Sequence, residues 1–146
     1  MPTDAERRFV LFVYGSLLRG ESNHARLDGA RALGDAKTAA AFELFDLGPY
    51  PALVAVGATA VAGELYEVDA KMLAALDVYE EVPRLFKRVR IALADGAEAQ
   101  AYTLDAEQVR GRRRIRSGDW RTRFQAAQSA SVREGPMVRW AKNRDR

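Results

Sequence analysis

Phe9-Val10-Leu11-Phe12-Val13-Tyr14-Gly15-Ser16-Leu17 is the stretch on which the fold turns. Its first five residues are all apolar, and four of them are Val or Phe. A run this short and this rich in β-formers reads as a buried strand rather than a helix turn. Gly15 then ends the strand and removes the Cβ that would hold the backbone away from a ligand. The amides that follow, on Ser16 and Leu17, are free to point at an anion or oxyanion. A plain structural turn after a strand would leave the same trace, so the stretch fixes a strand before it fixes a site.

Working outward, residues 41–47 alternate apolar and polar with period two, as a half-buried strand does. Gly48-Pro49-Tyr50-Pro51 is a turn whose two prolines stiffen the backbone on either side of Tyr50. That makes Tyr50 a candidate to line a pocket. Residues 52–56 and 61–68 are expected to form a hairpin through Gly57-Ala58-Thr59. Residues 88–93 and 99–104 read as two more strands, joined at Asp95-Gly96. Six strands with few helices predict an α+β fold: a small mixed sheet, closed or strongly curved into a barrel of about six strands, with flanking helices. We expect one domain over residues 1–131 and a basic, loosely ordered tail over 132–146 that docks, if at all, through Met137, Val138 and Trp140. Asp119 is a candidate cap for a helix over 120–129.

Asp69 is a good N-cap for a helix over residues 70–80. Leu73, Leu76 and Glu80 fall at i, i+3 and i+7, so Glu80 projects from the face that buries the two leucines. Glu81 lies about 100° further round, toward solvent. Glu80 also sits at the helix C-terminus, where the macrodipole disfavours negative charge. Burial and dipole both raise a carboxylate pKa, which suits a general base working near neutral pH. The alternative is a buried Glu80 paired with Arg88 or Arg84.

Composition removes several kinds of chemistry. The 146 residues are 48% hydrophobic and 29% charged, with no Cys and a single His. Thiol catalysis, disulfides and multi-His or Cys metal sites are therefore excluded. A Ser16 nucleophile would have to use His24 as its base, with no acidic residue evident to orient it. Residues 1–6 are acidic and lack a signal-peptide core, and no apolar run reaches membrane-span length, so a cytoplasmic protein is expected. Residues 1–104 hold 11 Lys and Arg against 15 Asp and Glu, whereas residues 105–146 hold 12 against 5. Arg110-Gly111-Arg112-Arg113-Arg114-Ile115-Arg116 concentrates this basic excess. Without interleaved aromatics it reads as a solvated loop, and a nucleic-acid partner is not expected.

Taken together, Tyr14-Gly15-Ser16-Leu17, Gly63-Glu64-Leu65-Tyr66-Glu67-Val68 and Leu76-Asp77-Val78-Tyr79-Glu80, the last followed by Pro83 and Arg88, resemble the γ-glutamylcyclotransferase-like (AIG2-like) family, which includes the γ-glutamylamine cyclotransferases. Ile115-Arg116-Ser117-Gly118-Asp119-Trp120 is similar to the closing segment of its bacterial members. The resemblance runs from about Phe9 to Trp120. It implies a small β-barrel and a substrate carrying a free γ-glutamyl group, whose α-amine attacks its own γ-carbonyl to give 5-oxoproline and a released amine. It implies no cofactor and no metal. It makes Glu80 the acid/base and Tyr14, Gly15, Ser16 and Leu17 the loop that holds substrate, with Tyr50 beside them. Two positions depart from the family pattern. Glu81 stands where Gly is common, and Phe86 stands where Tyr is common. Two other readings remain: a barrel that binds a small metabolite or nucleic acid without turnover, and an enzyme that removes a γ-glutamyl group from a biosynthetic intermediate. The identity of the leaving amine and the oligomeric state are not encoded legibly.

Overall fold

The apolar run becomes β1 (Arg8–Val13), and Leu11, Phe12 and Val13 are almost wholly buried on both faces of the sheet. The computed structural model describes residues 7–124. On one side β1 pairs antiparallel with β5 (Ala62–Asp69), from Arg8↔Asp69 to Val13↔Glu64. On the other it runs parallel to β7 (Glu98–Thr103) through Leu11↔Gln100. A strand flanked on both sides and covered on both faces needs no alternation, which explains the unbroken apolar run. β2 (Arg31–Lys37) pairs with the far side of β5. β3 (Phe42–Asp46) and β4 (Pro51–Thr59) form a hairpin across the Gly48–Pro51 turn. β6 (Lys87–Ala92) pairs antiparallel with the whole of β7. β8 (Arg113–Arg114) closes the far end against β3.

The expected barrel is not what forms. The strands make one open mixed sheet of eight, in the order β2-β5-β1-β7-β4-β3-β8, with β6 branching from β7. β2 and β6 approach each other only at an isolated bridge, Thr38↔Leu93, and no ladder joins them. The sheet splits instead of closing, because β1 and β4 share one edge of β7, each through a single parallel pair (Leu11↔Gln100 and Leu53↔Thr103). Among the described residues there is one α-helix, α1 (Ala70–Tyr79), rather than several. The hairpin expected between residues 52–56 and 61–68 is also absent: β4 pairs with β3 and β7, and β5 with β1 and β2. The Gly57–Thr59 segment extends β4, and Thr59 still pairs with Phe42 across a bulge.

Helix α1 begins where Asp69 Oδ1 accepts the Met72 N–H at 2.8 Å. It buries Leu73 and Leu76 against the sheet. The basic run is exposed but not free in solvent. Arg113 pairs with Asp46 at 2.7 Å, Arg110 with Glu107 at 3.1 Å, and Arg114 with Glu43 at 3.8 Å. Asp119 caps a 3₁₀ turn, Trp120–Thr122, accepting the Arg121 N–H at 3.0 Å, and Arg123 and Phe124 continue it as helix. The boundary at 131, the 132–146 tail with Met137, Val138 and Trp140, and the later part of a 120–129 helix lie outside the described residues. No helix among the described residues is long and apolar enough to cross a membrane.

Candidate active site

A cavity of about 210 Å³ opens where the sheet splits, at the carboxyl end of β1. Tyr14, Gly15, Ser16, Leu17, Tyr50 and Glu80 all line it. Three separate segments are thus brought together: the loop after β1, the Gly48–Pro51 turn and the end of α1.

The loop leaves two of its amides without acceptors. Leu18 N–H closes a turn onto the Gly15 carbonyl at 3.0 Å, and Asn23 N–H donates to the Ser16 carbonyl at 2.8 Å. The second bond polarises the peptide whose other end is the Leu17 N–H. Among the described residues neither the Ser16 nor the Leu17 N–H has an acceptor. Gly15 is required by its neighbour rather than by a ligand, since a Cβ there would sit 2.5 Å from Pro51 Cγ. The Tyr14 hydroxyl donates to the Tyr102 carbonyl at 2.6 Å and accepts the Leu53 N–H at 3.2 Å. It therefore bridges β7 and β4 at the split, and burial pushes its pKa up. Its ring is a wall of the cavity, while its hydroxyl is occupied.

Beneath the loop lies Glu64, 2% exposed. Its carboxylate accepts the Arg19 N–H at 2.9 Å, the Tyr66 hydroxyl at 2.8 Å and Arg121 Nη2 at 3.1 Å. Arg121 also donates to the Arg19 carbonyl. Burial alone would raise the Glu64 pKa, but these donors outweigh it and hold the group ionised, while Tyr66 is pushed up to about 12 by burial and by Glu64. One buried carboxylate thus ties the loop to β5 and to the 117–122 segment. His24 Nδ1 lies 2.9 Å from the Leu17 carbonyl. A carbonyl can only accept, so Nδ1 carries the proton. No His24–Ser16 bond exists among the described residues, and the Ser–His dyad does not form.

Helix α1 ends in a Schellman motif. Glu80 is the C-cap, Glu81 N–H donates to the Val78 carbonyl and Val82 N–H to the Asp77 carbonyl, each at 3.0 Å. Glu81 takes the left-handed conformation the motif demands, with φ +58°. Glycine adopts this conformation without strain, whereas a side chain makes it costlier. Glu81 is exposed and 3.9 Å from Arg84, yet it also lines the cavity, because the left-handed turn and not helical phase sets its direction. Glu80 turns inward, and the ion pairs that would have made it structural go elsewhere. Arg88 grips Asp77 through two bonds of 2.8 and 3.0 Å, and Asp77 also accepts the Tyr102 hydroxyl at 2.7 Å. Among the described residues nothing hydrogen-bonds the Glu80 carboxylate. Burial pushes its pKa up from 4.5 to about 7, partly opposed by the Arg26 guanidinium. Tyr50 packs against Phe86 with ring centroids 6.1 Å apart.

Three contributors escape a reading of the sequence. Tyr102 lines the cavity from β7, Glu64 anchors the loop, and Arg26 stacks on Tyr79. Only Glu64 carries a local sign, an acid in the strand 62–69 where the pattern calls for core. Among the described residues no cluster of His, Asp and Glu is arranged to hold a metal ion. The arrangement offers one carboxylate that titrates near neutrality and two unpartnered amide donors in one small cavity, which suits proton transfer coupled to oxyanion stabilisation.

Comparison with known proteins points the same way. The family described as gamma-glutamyl cyclotransferase, AIG2-like matches residues 11–122. A Vibrio cholerae protein provisionally named a gamma-glutamylcyclotransferase is 43% identical over 111 residues, covering 76% of this chain and 94% of that one. The Escherichia coli gamma-glutamylcyclotransferase family protein YtfP is 36% identical over 110 residues, covering 75% and 94%. Among solved structures, an AIG2-like protein of Mus musculus superposes with a TM-score of 0.61 at 30% identity, covering 67% of this chain and 78% of that one.

Proposed function

This chain belongs to the gamma-glutamyl cyclotransferase, AIG2-like family, and we propose that it converts a γ-glutamyl amine or γ-glutamyl peptide into 5-oxoproline and the free amine, with Glu80 as the single general acid/base. The observation that carries this reading is the Glu80 carboxyl, pushed up to about 7 by burial and unpaired among the described residues, in the same cavity as the Ser16 and Leu17 amides.

The α-nitrogen of a γ-glutamyl group arrives as an ammonium and must lose a proton before it can attack. An ionised Glu80 takes that proton. The nitrogen adds to the γ-carbonyl carbon, and the oxygen becomes an oxyanion that the Ser16 and Leu17 N–H groups stabilise. The bond to the leaving nitrogen then breaks as Glu80 returns a proton to it. In all, two protons move from the α-nitrogen to the departing amine, and one carboxylate suffices as the relay. Ring closure is intramolecular, so the protein's task is to hold the chain folded on itself. Tyr14, Gly15 and Tyr50 shape that enclosure.

The test is 5-oxoproline release from γ-glutamyl methylamide and γ-glutamylalanine by wild type, Glu80→Gln and Glu81→Gln. The reading requires Glu80→Gln to lose ~10²–10⁴-fold while Glu81→Gln keeps most activity. Equal losses in the two variants would sink the assignment of Glu80.

A further inference from the structure

The cavity poses a charge problem for its own substrate. Its lining carries two carboxylates, Glu80 and Glu81, and neither Lys nor Arg. A γ-glutamyl group brings a carboxylate of its own, attached to the same carbon as the α-nitrogen. Placing that nitrogen on Glu80 carries the α-carboxylate to the same end of the cavity, within one bond of the amine. An anion drawn from water to a site beside another carboxylate is costly unless a cation or aimed donors receive it. On the cyclotransferase reading the Ser16 and Leu17 amides are taken by the γ-carbonyl oxygen.

One cation acts on Glu80 from just outside that lining. Arg26 lies on the 3₁₀ turn His24–Leu27, and its guanidinium carbon sits 3.6 Å from the centroid of the Tyr79 ring. Tyr79 lines the cavity and immediately precedes Glu80. Arg26 acts electrostatically on Glu80, the one cation to do so. Stacking fixes the plane of the guanidinium and leaves its edge donors free. Nine other described arginines have an acidic partner within 4 Å, among them Arg19, Arg88 and Arg113; among the described residues Arg26 has none, and neither do Arg112, Arg116 and Arg123, but of these four only Arg26 stacks on a ring that lines the cavity. A stacked, preoriented and acid-free arginine beside a cavity that must accept a carboxylate is a site lacking only its ligand.

We propose that Arg26, held against Tyr79, is the receptor for the α-carboxylate of the substrate, and so selects γ-glutamyl compounds with a free α-carboxylate over their esters and amides. This rests on the cyclotransferase reading and adds the substrate feature it must recognise. The commitment is to the α-carboxylate, not to a carboxylate on the leaving group.

The experiment has a binding arm and a kinetic arm. Calorimetric titration of wild type, Arg26→Gln and Arg26→Lys uses 5-oxoproline, which keeps the α-carboxylate, and 5-oxoprolinamide, which has none. A charge-assisted contact of this type predicts a roughly 10–100-fold loss of 5-oxoproline affinity in Arg26→Gln, partial rescue in Arg26→Lys, and little change for the amide. In the kinetic arm, kcat/KM should fall by the same factor for γ-glutamyl methylamide and γ-glutamylalanine, mostly through KM. Unchanged 5-oxoproline affinity in Arg26→Gln overturns the proposal while leaving the activity intact. A loss confined to γ-glutamylalanine also overturns it, because the carboxylate read would then belong to the leaving group. If wild type binds neither ligand and releases no 5-oxoproline, the cyclotransferase reading falls and the proposal falls with it.

Discussion

Replacing Glu80 by Gln should make the protein more stable at alkaline pH while abolishing its activity. A carboxyl whose pKa is raised on folding keeps its proton in the native state over a range where the unfolded chain has lost it. Stability from Glu80 is therefore fully present below pH 4.5 and is lost as pH rises to about 7. At ~1.4 kcal/mol per pH unit, that interval corresponds to about 3 kcal/mol as an upper value, and solvent access to a half-buried group brings the expectation to about 2 kcal/mol. Gln keeps the shape and does not titrate. The assay is urea unfolding of wild type and Glu80→Gln at pH 4.5 and pH 8.5. All other titrating groups are common to both proteins, so the difference between the two pH values isolates Glu80. We expect the variant to gain about 2 kcal/mol relative to wild type between the acid and the alkaline measurement. A pH-independent difference would mean that Glu80 ionises as freely in the folded state as in the unfolded, and the argument for a tuned base would be wrong.

The remaining predictions address the base and the frame that positions it. The pH profile of kcat/KM should fall below about pH 7 with unit slope, because only ionised Glu80 accepts the ammonium proton; a flat profile down to pH 5 would contradict this. Glu81→Gly should raise the urea midpoint by about 0.5–1 kcal/mol equivalent, since the Schellman position with φ +58° suits glycine, and activity should persist. Gly15→Ala should cost about 1–3 kcal/mol and at least tenfold in kcat, because the new methyl must displace the stiff Pro51 ring or the amide loop. Glu64→Gln should lower kcat more than it raises KM: its amide nitrogen cannot accept from Arg121, and the loop it anchors contributes most when the oxyanion forms.

The sequence makes β1, α1 and the inward turn of Glu80 legible, because each rests on local periodicity and on one cap; that Glu81 also lines the cavity was not, since a left-handed residue past the helix end escapes helical phase. The open sheet was not legible. β2 escapes notice because it is an exposed edge, Arg31–Lys37, with a bulge at Gly34 and charges where a pattern would sit. β8 escapes because two exposed arginines carry no strand pattern; they become a strand only by pairing with Phe45 and Asp46 of β3. Adjacency along the chain suggests a hairpin between β4 and β5, but β4 turns back to β3 and meets β7 instead. For the site, the β1 loop and the helix end were readable one at a time. Their meeting was not, since it depends on Tyr14 pinning β4 and β7 where the sheet divides. Arg26 gave no sign at all, because a single arginine in a polar stretch gains meaning only from the ring it lies on.

The most direct test of the account is product identification from a γ-glutamyl amine incubated with purified protein. Carbon-13 NMR on γ-glutamyl methylamide labelled at the γ-carbonyl distinguishes ring closure from hydrolysis in one spectrum. The account predicts 5-oxoproline and methylamine in equal amounts, with no glutamate, and a loss of ~10²–10⁴-fold when Glu80 becomes Gln. Release of glutamate would place water, not the α-amine, as the nucleophile. 5-Oxoproline formation that survives the loss of Glu80 would contradict the central claim outright.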